Sequence, residues 1–127
     1  MIGYALVGSN DLEKAKAFYD EILKPLGGSP MFDHPSGGRI YNSGEGKPNF
    51  GVVGPFNKEP ATVGNGTMIA LTAETQDQVH KVYDKALELG GSDEGAPGWR
   101  GDPGGFYGAY FRDLDGNKLC VFGFGIQ

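Results

Sequence analysis

The chain is poor in the residues from which many sites are built. Cys120 is the only cysteine among 127 residues, so there is no partner for an intrachain disulfide and no thiolate set for a structural zinc. His34 and His80 are the only histidines. His34 lies beside Asp33 in a turn and reads as exposed, and His80 falls between Val79 and Val82 as a solvated helix residue. Lysine and arginine number 11 against 16 aspartate and glutamate, a formal charge of −5 with no basic cluster. Nucleic acid rewards the opposite balance, so it is not an expected partner. No apolar run approaches membrane-spanning length and a strand-like segment follows Met1 directly, which predicts a soluble, cytoplasmic protein with no membrane partner and no signal peptide.

What the chain does have is ordinary globular composition, 39% hydrophobic and 21% charged, in a length suited to one domain with one core. Its 23 glycines fall between periodic segments and mark turns. It also repeats itself. Tyr4-Ala5-Leu6 matches Met68-Ile69-Ala70, Tyr19-Asp20 matches Tyr83-Asp84, and Leu26-Gly27-Gly28 matches Leu89-Gly90-Gly91, at an offset of about 64 positions. That spacing is too long for a solenoid repeat and suits two copies of one supersecondary module.

Ile2 to Gly8 reads as a strand, followed by a helix capped by Asn10 with Glu13 three residues on. Leu12, Ala15, Tyr19, Ile22, Leu23 and Leu26 share its buried face, and Gly27 stops it. Met31-Phe32, Arg39 to Tyr41 and Asn49 to Val53 read as short antiparallel strands. Asn57 to Asn65 is a linker. Thr67 to Ala73 opens the second copy, Thr75 and Gln78 form a capping box, and Val79, Val82, Tyr83, Ala86 and Leu87 form the stripe. Gly91 to Gly105 reads as a Gly- and Pro-rich loop, before a hairpin of Phe106 to Asp113 and Asn117 to Phe124. The prediction is an α+β fold of two βαβββ modules, residues 1–56 and 66–127 around a 57–65 linker, with mixed sheets forming a central cleft and helices outside.

This order of elements, the duplication and the segment Phe106 to Leu119 resemble the vicinal oxygen chelate superfamily, which includes glyoxalase I, extradiol dioxygenases, and fosfomycin and bleomycin resistance proteins. Arg112-Asp113-Leu114-Asp115-Gly116-Asn117 departs from the family's Arg-Asp-Pro-Asp-Gly-Asn phrase only at Leu114. Gly64-Asn65-Gly66-Thr67 and Glu94-Gly95-Ala96-Pro97-Gly98 look like its glyoxalase-like bacterial branch. Metal-dependent members hold a divalent ion with a histidine from each module's first strand and a glutamate from the last strand. The matching positions here are Tyr4, Met68 and Cys120, and the fourth place falls near Phe50 to Val52, with Asn49 adjacent. The resemblance therefore implies the fold and a small-molecule cleft, with no metal and no other cofactor expected. It also implies a homodimer, with the cleft built within one chain or across two.

Period-two alternation places Tyr4, Met68 and Cys120 on the cleft face if Ala5, Ile69 and Leu119 face the helices. Trp99 and Arg100, in the predicted loop, suit a planar or carboxylate-bearing ligand. Tyr41, Phe106, Tyr107 and Tyr110 supply aromatic faces from the inner strands, and alternation alone does not decide whether Tyr107 or Tyr110 points inward. Tyr4, Tyr41, Met68, Trp99, Arg100, Tyr110, Cys120 and Phe122 form the candidate substrate site. Asp113, Asp115 and Asn117 do not make a calcium loop, because Gly116 is misplaced for one and no glutamate closes it. Three functions follow: a small-molecule-binding, metal-free glyoxalase-like protein whose turnover would fall to Tyr4, Cys120 or Arg100; a non-catalytic drug-sequestering protein, for which net negative charge favours a cationic ligand; and a metal-dependent lactoylglutathione lyase-like lyase or dioxygenase with a site rearranged around His34 or Glu45.

Overall fold

The computed structural model describes residues 1–127, and its helices begin where local hydrogen bonding lets them. Helix α1, Leu12–Ile22, is capped by Asp11, whose carboxylate accepts from the Lys14 N–H at 3.2 Å. Asn10, the residue expected there, is committed elsewhere. Its side chain accepts from the Ala61 N–H at 2.7 Å and donates to the Ala61 carbonyl at 3.2 Å, while its own N–H donates to Asp115 at 2.8 Å. The cap therefore moves one residue on, to a side chain with no long-range partner. Pro25, which has no N–H for a helical bond, converts the end of the run into a 3-10 turn over Lys24–Leu26. Gly27 closes it at φ +79, a conformation that glycine adopts without steric cost. Helix α2, Gln76–Glu88, starts at the predicted box: the Gln78 N–H donates to the Thr75 hydroxyl, and the Gln78 side chain accepts from the Glu74 N–H.

Strands β1 (Tyr4–Gly8), β2 (Ser29–Asp33), β3 (Arg39–Asn42) and β4 (Asn49–Val53) form one sheet in the order β1-β4-β3-β2. Strands β5 (Ile69–Thr72), β6 (Ser92–Arg100), β7 (Phe106–Arg112) and β8 (Lys118–Phe124) form the other, in the order β5-β8-β7-β6. Both are mixed: β1 runs parallel to β4 and β5 to β8, and the remaining pairs are antiparallel. The topology repeats as the sequence does, giving two βαβββ modules. One expectation is corrected. The segment read as a loop contains the nine residues of β6. Its glycines and Pro97 misled because β6 is an edge strand whose pairing slips between Asp93 and Gly95 and again between Gly95 and Gly98. Pro97 sits in the second slip, where a missing N–H removes no ladder bond.

Each helix packs on its own sheet, and the two helices meet each other. Val7, Tyr41, Phe50 and Val52 bury against Phe18, Tyr19 and Ile22, while Ala109, Phe111, Leu119 and Val121 bury with Val79, Val82 and Ala86, all in one continuous core. Each of the larger of these side chains, Val, Leu, Ile or Phe, contributes roughly 1.5–3 kcal/mol on full burial, so both modules draw on a common store of stability. The turn between β7 and β8 fastens them further. Asp113, only 5% exposed, accepts from the Tyr19 hydroxyl at 2.5 Å, from the Asn117 side chain at 2.9 Å, and from the Asp115 and Asn117 N–H groups, both at 2.9 Å. The Asn117 amide also donates to the Gly8 carbonyl at 2.8 Å. Four donors satisfy a carboxylate whose burial would otherwise be costly. Burial and the adjacent Asp113 charge together hold the Tyr19 hydroxyl well above its ordinary pKa. No helix is long and apolar enough to cross a membrane.

Candidate functional site

Alternation gives the central strands one face against a helix and one face open, whereas the edge strand β2 is exposed at every residue. On β7, Tyr107, Ala109 and Phe111 are buried on the helix side, which places Phe106, Gly108 and Tyr110 on the open side. On β8, Leu119 and Val121 face the helix, and Lys118, Cys120, Phe122 and Phe124 take the other face. Tyr110, rather than Tyr107, thus belongs to the open face. Tyr107 instead shares a 2.7 Å hydrogen bond with the His80 ring on α2.

The open face of the second sheet has an aromatic end and a polar end. Phe106 crosses Gly108 to stack on Phe122, with ring centroids 5.0 Å apart and planes within 5°. A Cβ on Gly108 would stand 2.8 Å from the Phe106 ring and 2.9 Å from the Val121 carbonyl, so the stack needs a glycine beneath it. Phe124, 72% exposed, meets both rings edge-on. At the polar end Tyr110 lies directly across from Cys120. Burial pushes the Cys120 thiol up to about 11, against smaller opposing effects of Tyr110, Arg100 and Lys118. Burial, then the Cys120 charge, raises the Tyr110 hydroxyl as well. Both groups are neutral near pH 7. Tyr110 is the one placed to hydrogen-bond a ligand, because Cys120 is only 1% exposed, and neither supplies a thiolate nucleophile or a ready base.

Arg100 and Lys118 reach Tyr110 from its two neighbouring strands. The Arg100 guanidinium lies 5.5 Å from the ring centroid and the Lys118 ammonium 5.6 Å. Arg100 is held in place by donating to the Ala96 carbonyl at 2.7 Å and the Gly98 carbonyl at 3.0 Å. A Cβ at Gly95 or Gly98 would come within 3.1 or 3.3 Å of its nitrogens, so two glycines clear its path.

Arg100, Tyr110, Cys120 and Phe122 therefore come together on this open face, with Met68 just ahead of β5 on the same sheet. Tyr4 lies on the open face of the first sheet, 68% exposed. Tyr41 and Trp99 take the helix sides. The Tyr41 hydroxyl donates to Asp20 at 2.7 Å, and Asp20 also accepts from Arg39. Trp99 packs edge-on against Tyr107, with centroids 5.0 Å apart. Lys118 and Phe124, which sequence reasoning did not single out, share this face with Phe106, which it named as an aromatic face. The signal was present, since applying period two to Phe106-Gly108-Tyr110 and Lys118-Cys120-Phe122-Phe124 puts all seven on one face. Separately, a groove of about 940 Å³ runs between the modules, with Ala5, Leu26, Tyr41, Asn49, Met68 and Gln78 among its lining residues.

The donors at the positions where the resembled family holds its ion do not fit one. Tyr4 and Cys120 lie on different sheets, and they and Met68 offer a phenol, a neutral thiol and a thioether, with no carboxylate to balance charge. No three His, Cys, Asp or Glu side chains are grouped to hold a metal. His34 is engaged with Ser36 at 2.9 Å, and Glu45 is exposed in the turn before β4.

Comparison with known proteins places these features in context. The family model of the glyoxalase/bleomycin resistance protein/dioxygenase superfamily matches residues 1–121. A glyoxalase/bleomycin resistance protein from Albidiferax ferrireducens has 36% sequence identity, with 96% of this chain and 97% of that chain covered at a TM-score of 0.87. The hypothetical protein SA1046 from S. aureus has 26% identity over 96% of this chain and 91% of that one, with a TM-score of 0.69. A lactoylglutathione lyase from Agrobacterium tumefaciens, at 21% identity, TM-score 0.66 and coverage of 96% and 92%, shares the fold. No protein of curated function matches the sequence.

Proposed function

The chain belongs to the glyoxalase/bleomycin resistance protein/dioxygenase superfamily, and from that membership we propose that it is a metal-independent, small-molecule-binding member acting in the cytoplasm as a homodimer. The observation that carries this reading is the open face of the second sheet. The half-buried Tyr110, with the buried, neutral Cys120 across from it, stands there beside a three-phenylalanine platform, a combination suited to holding an organic molecule by stacking and a tyrosine hydrogen bond. With both groups neutral, binding rather than turnover is the function they serve best.

Dimerisation would turn this open face into a cleft. The sheets of one chain do not pair with each other, and Leu6, Phe32 and Phe124 are exposed apolar side chains. Covering the second sheet of one copy with the first sheet of another would bury such residues and bring Tyr4 toward the Met68 and Cys120 side of its partner. Native mass spectrometry of protein purified without chelator tests the proposal, with a dimer carrying a small organic adduct as the expected spectrum. Stoichiometric nickel, zinc, iron or manganese on elemental analysis would defeat it.

A further inference from the structure

We propose that the ligand of this site is an anion with a planar apolar body, an aromatic carboxylate in the simplest case. The inference rests on the small-molecule reading above and names the chemistry that the face selects. Its basis is the distribution of charge partners. The ion pairs of the chain engage Lys16, Lys24, Arg39, Lys81, Lys85 and Arg112. Of the other four lysines, Lys14, Lys47 and Lys58 are exposed to water. Arg100 and Lys118 alone are both half-buried and without a carboxylate.

In a protein of net charge −5, two half-buried cations left unpaired on one face form a local field opposite in sign to the whole. The overall charge, which favours a cation, is the weaker guide because a ligand at the face meets the nearest charges most strongly. Arg100 is also pre-positioned. Two of its five N–H groups are tied to the Ala96 and Gly98 carbonyls, and the others remain available to a carboxylate. The guanidinium folds back over Gly98, which pairs with Gly108, the residue that Phe106 crosses to reach Phe122, so an anion on the guanidinium would place an attached ring toward the Phe106–Phe122 stack. Glycine at 95 and 98 makes room for the guanidinium, and glycine at 108 makes room for the Phe106 ring, so the two groups lie close along the same face.

The test is titration of the full-length, isotope-labelled protein with benzoate, benzamide and benzylamine, followed by amide NMR shifts. Benzoate is expected to shift Gly95, Gly98 and Phe122 saturably, and to bind about tenfold or more tightly than the neutral amide, the value of roughly one charge-assisted hydrogen bond. Arg100→Gln should reduce benzoate affinity about tenfold and leave benzamide unchanged, and Arg100→Lys should recover part of the loss. Lys118→Gln, at a side chain that makes no hydrogen bond, keeps the test open should Arg100 variants fold poorly, and should weaken benzoate severalfold. Equal binding of benzamide, tighter binding of benzylamine, or unchanged benzoate affinity in folded Arg100→Gln or Lys118→Gln overturns the anion proposal. If shifts still map to this face, the small-molecule reading survives that result. Absence of any shift with benzoate also overturns the anion proposal, and the adduct in the native mass spectrum then judges the broader reading on its own.

Discussion

Tyr19 and Asp113, 94 positions apart, share a buried hydrogen bond that joins the helix of one module to the terminal hairpin of the other. Removing the carboxylate in Asp113→Ala would strand the Tyr19 hydroxyl, one N–H of the Asn117 amide and two backbone N–H groups. The expected loss is about 3–5 kcal/mol, by analogy with breaking other buried charged partnerships. Tyr19→Phe deletes one donor and leaves the rest, so it should cost about 1–2 kcal/mol. Urea unfolding of the two variants measures both, and near-equal losses would show that the hydroxyl, rather than the carboxylate, is the centre of the clamp.

Cys120 should resist alkylation in the folded protein at pH 8 and react rapidly once unfolded in urea, because burial keeps the thiol protonated up to about 11. The same shift has a thermodynamic counterpart. The native state retains the thiol proton at pH values where the unfolded chain, with an ordinary cysteine pKa near 9, has lost it. This contribution to stability is complete below about 9 and is lost as pH rises toward 11. Tyr110 and Tyr83, raised in the same direction, add to the loss at higher pH. Melting temperature against pH, compared between wild type and Cys120→Ala, should show a shallower decline from pH 9 to 11 in the variant.

Gly108→Ala tests the aromatic platform. Its methyl group would press on Phe106 at 2.8 Å and on the Val121 carbonyl at 2.9 Å, and backbone cannot retreat as a flexible side chain can. The expected cost is about 1–3 kcal/mol, together with weaker binding of any ring that stacks on Phe122. Calorimetry and the benzoate titration report the two effects. Unchanged stability with unchanged affinity would mean that Phe106 relocates freely and the platform has no fixed geometry.

Divalent ions should leave the protein indifferent. Neither EDTA nor nickel, zinc or manganese is expected to alter melting temperature, since a ligand stabilises a fold only by binding its native state. A rise of several degrees with one ion would mean that residues from a second copy complete a donor set that Tyr4, Met68 and Cys120 lack.

The duplicated plan was legible because both copies carry the same local grammar. Thr75 with Gln78 caps α2 as written, and Gly27 ends the first helical run as glycine should. Legibility failed where distant partners overrule local preference. Asn10 has cap chemistry, yet Ala61 and Asp115 take its hydrogen bonds, and nothing adjacent in sequence announces them. The glycines around Arg100 looked like loop residues because edge-strand slips and loop turns use the same amino acids. Alternation correctly sorts residues onto two faces of a strand, but it does not tell which loop-like residues belong to a strand at all. Trp99 and Arg100, neighbours in sequence, therefore ended on opposite sides of β6.

Because the core is contributed by both modules, the 57–65 segment is not what holds them together, although Ala61 within it bonds Asn10. A protease cut among Thr62 to Gly66, which are exposed, would sever the chain without separating its halves. A cut after Val63, for example, would leave fragments 1–63 and 64–127 seated through the helix contact and the Asp113 clamp, migrating together on a sizing column and parting only in denaturant. Covalent continuity would then determine which halves come from the same polypeptide, while the shared core determines whether they stay together.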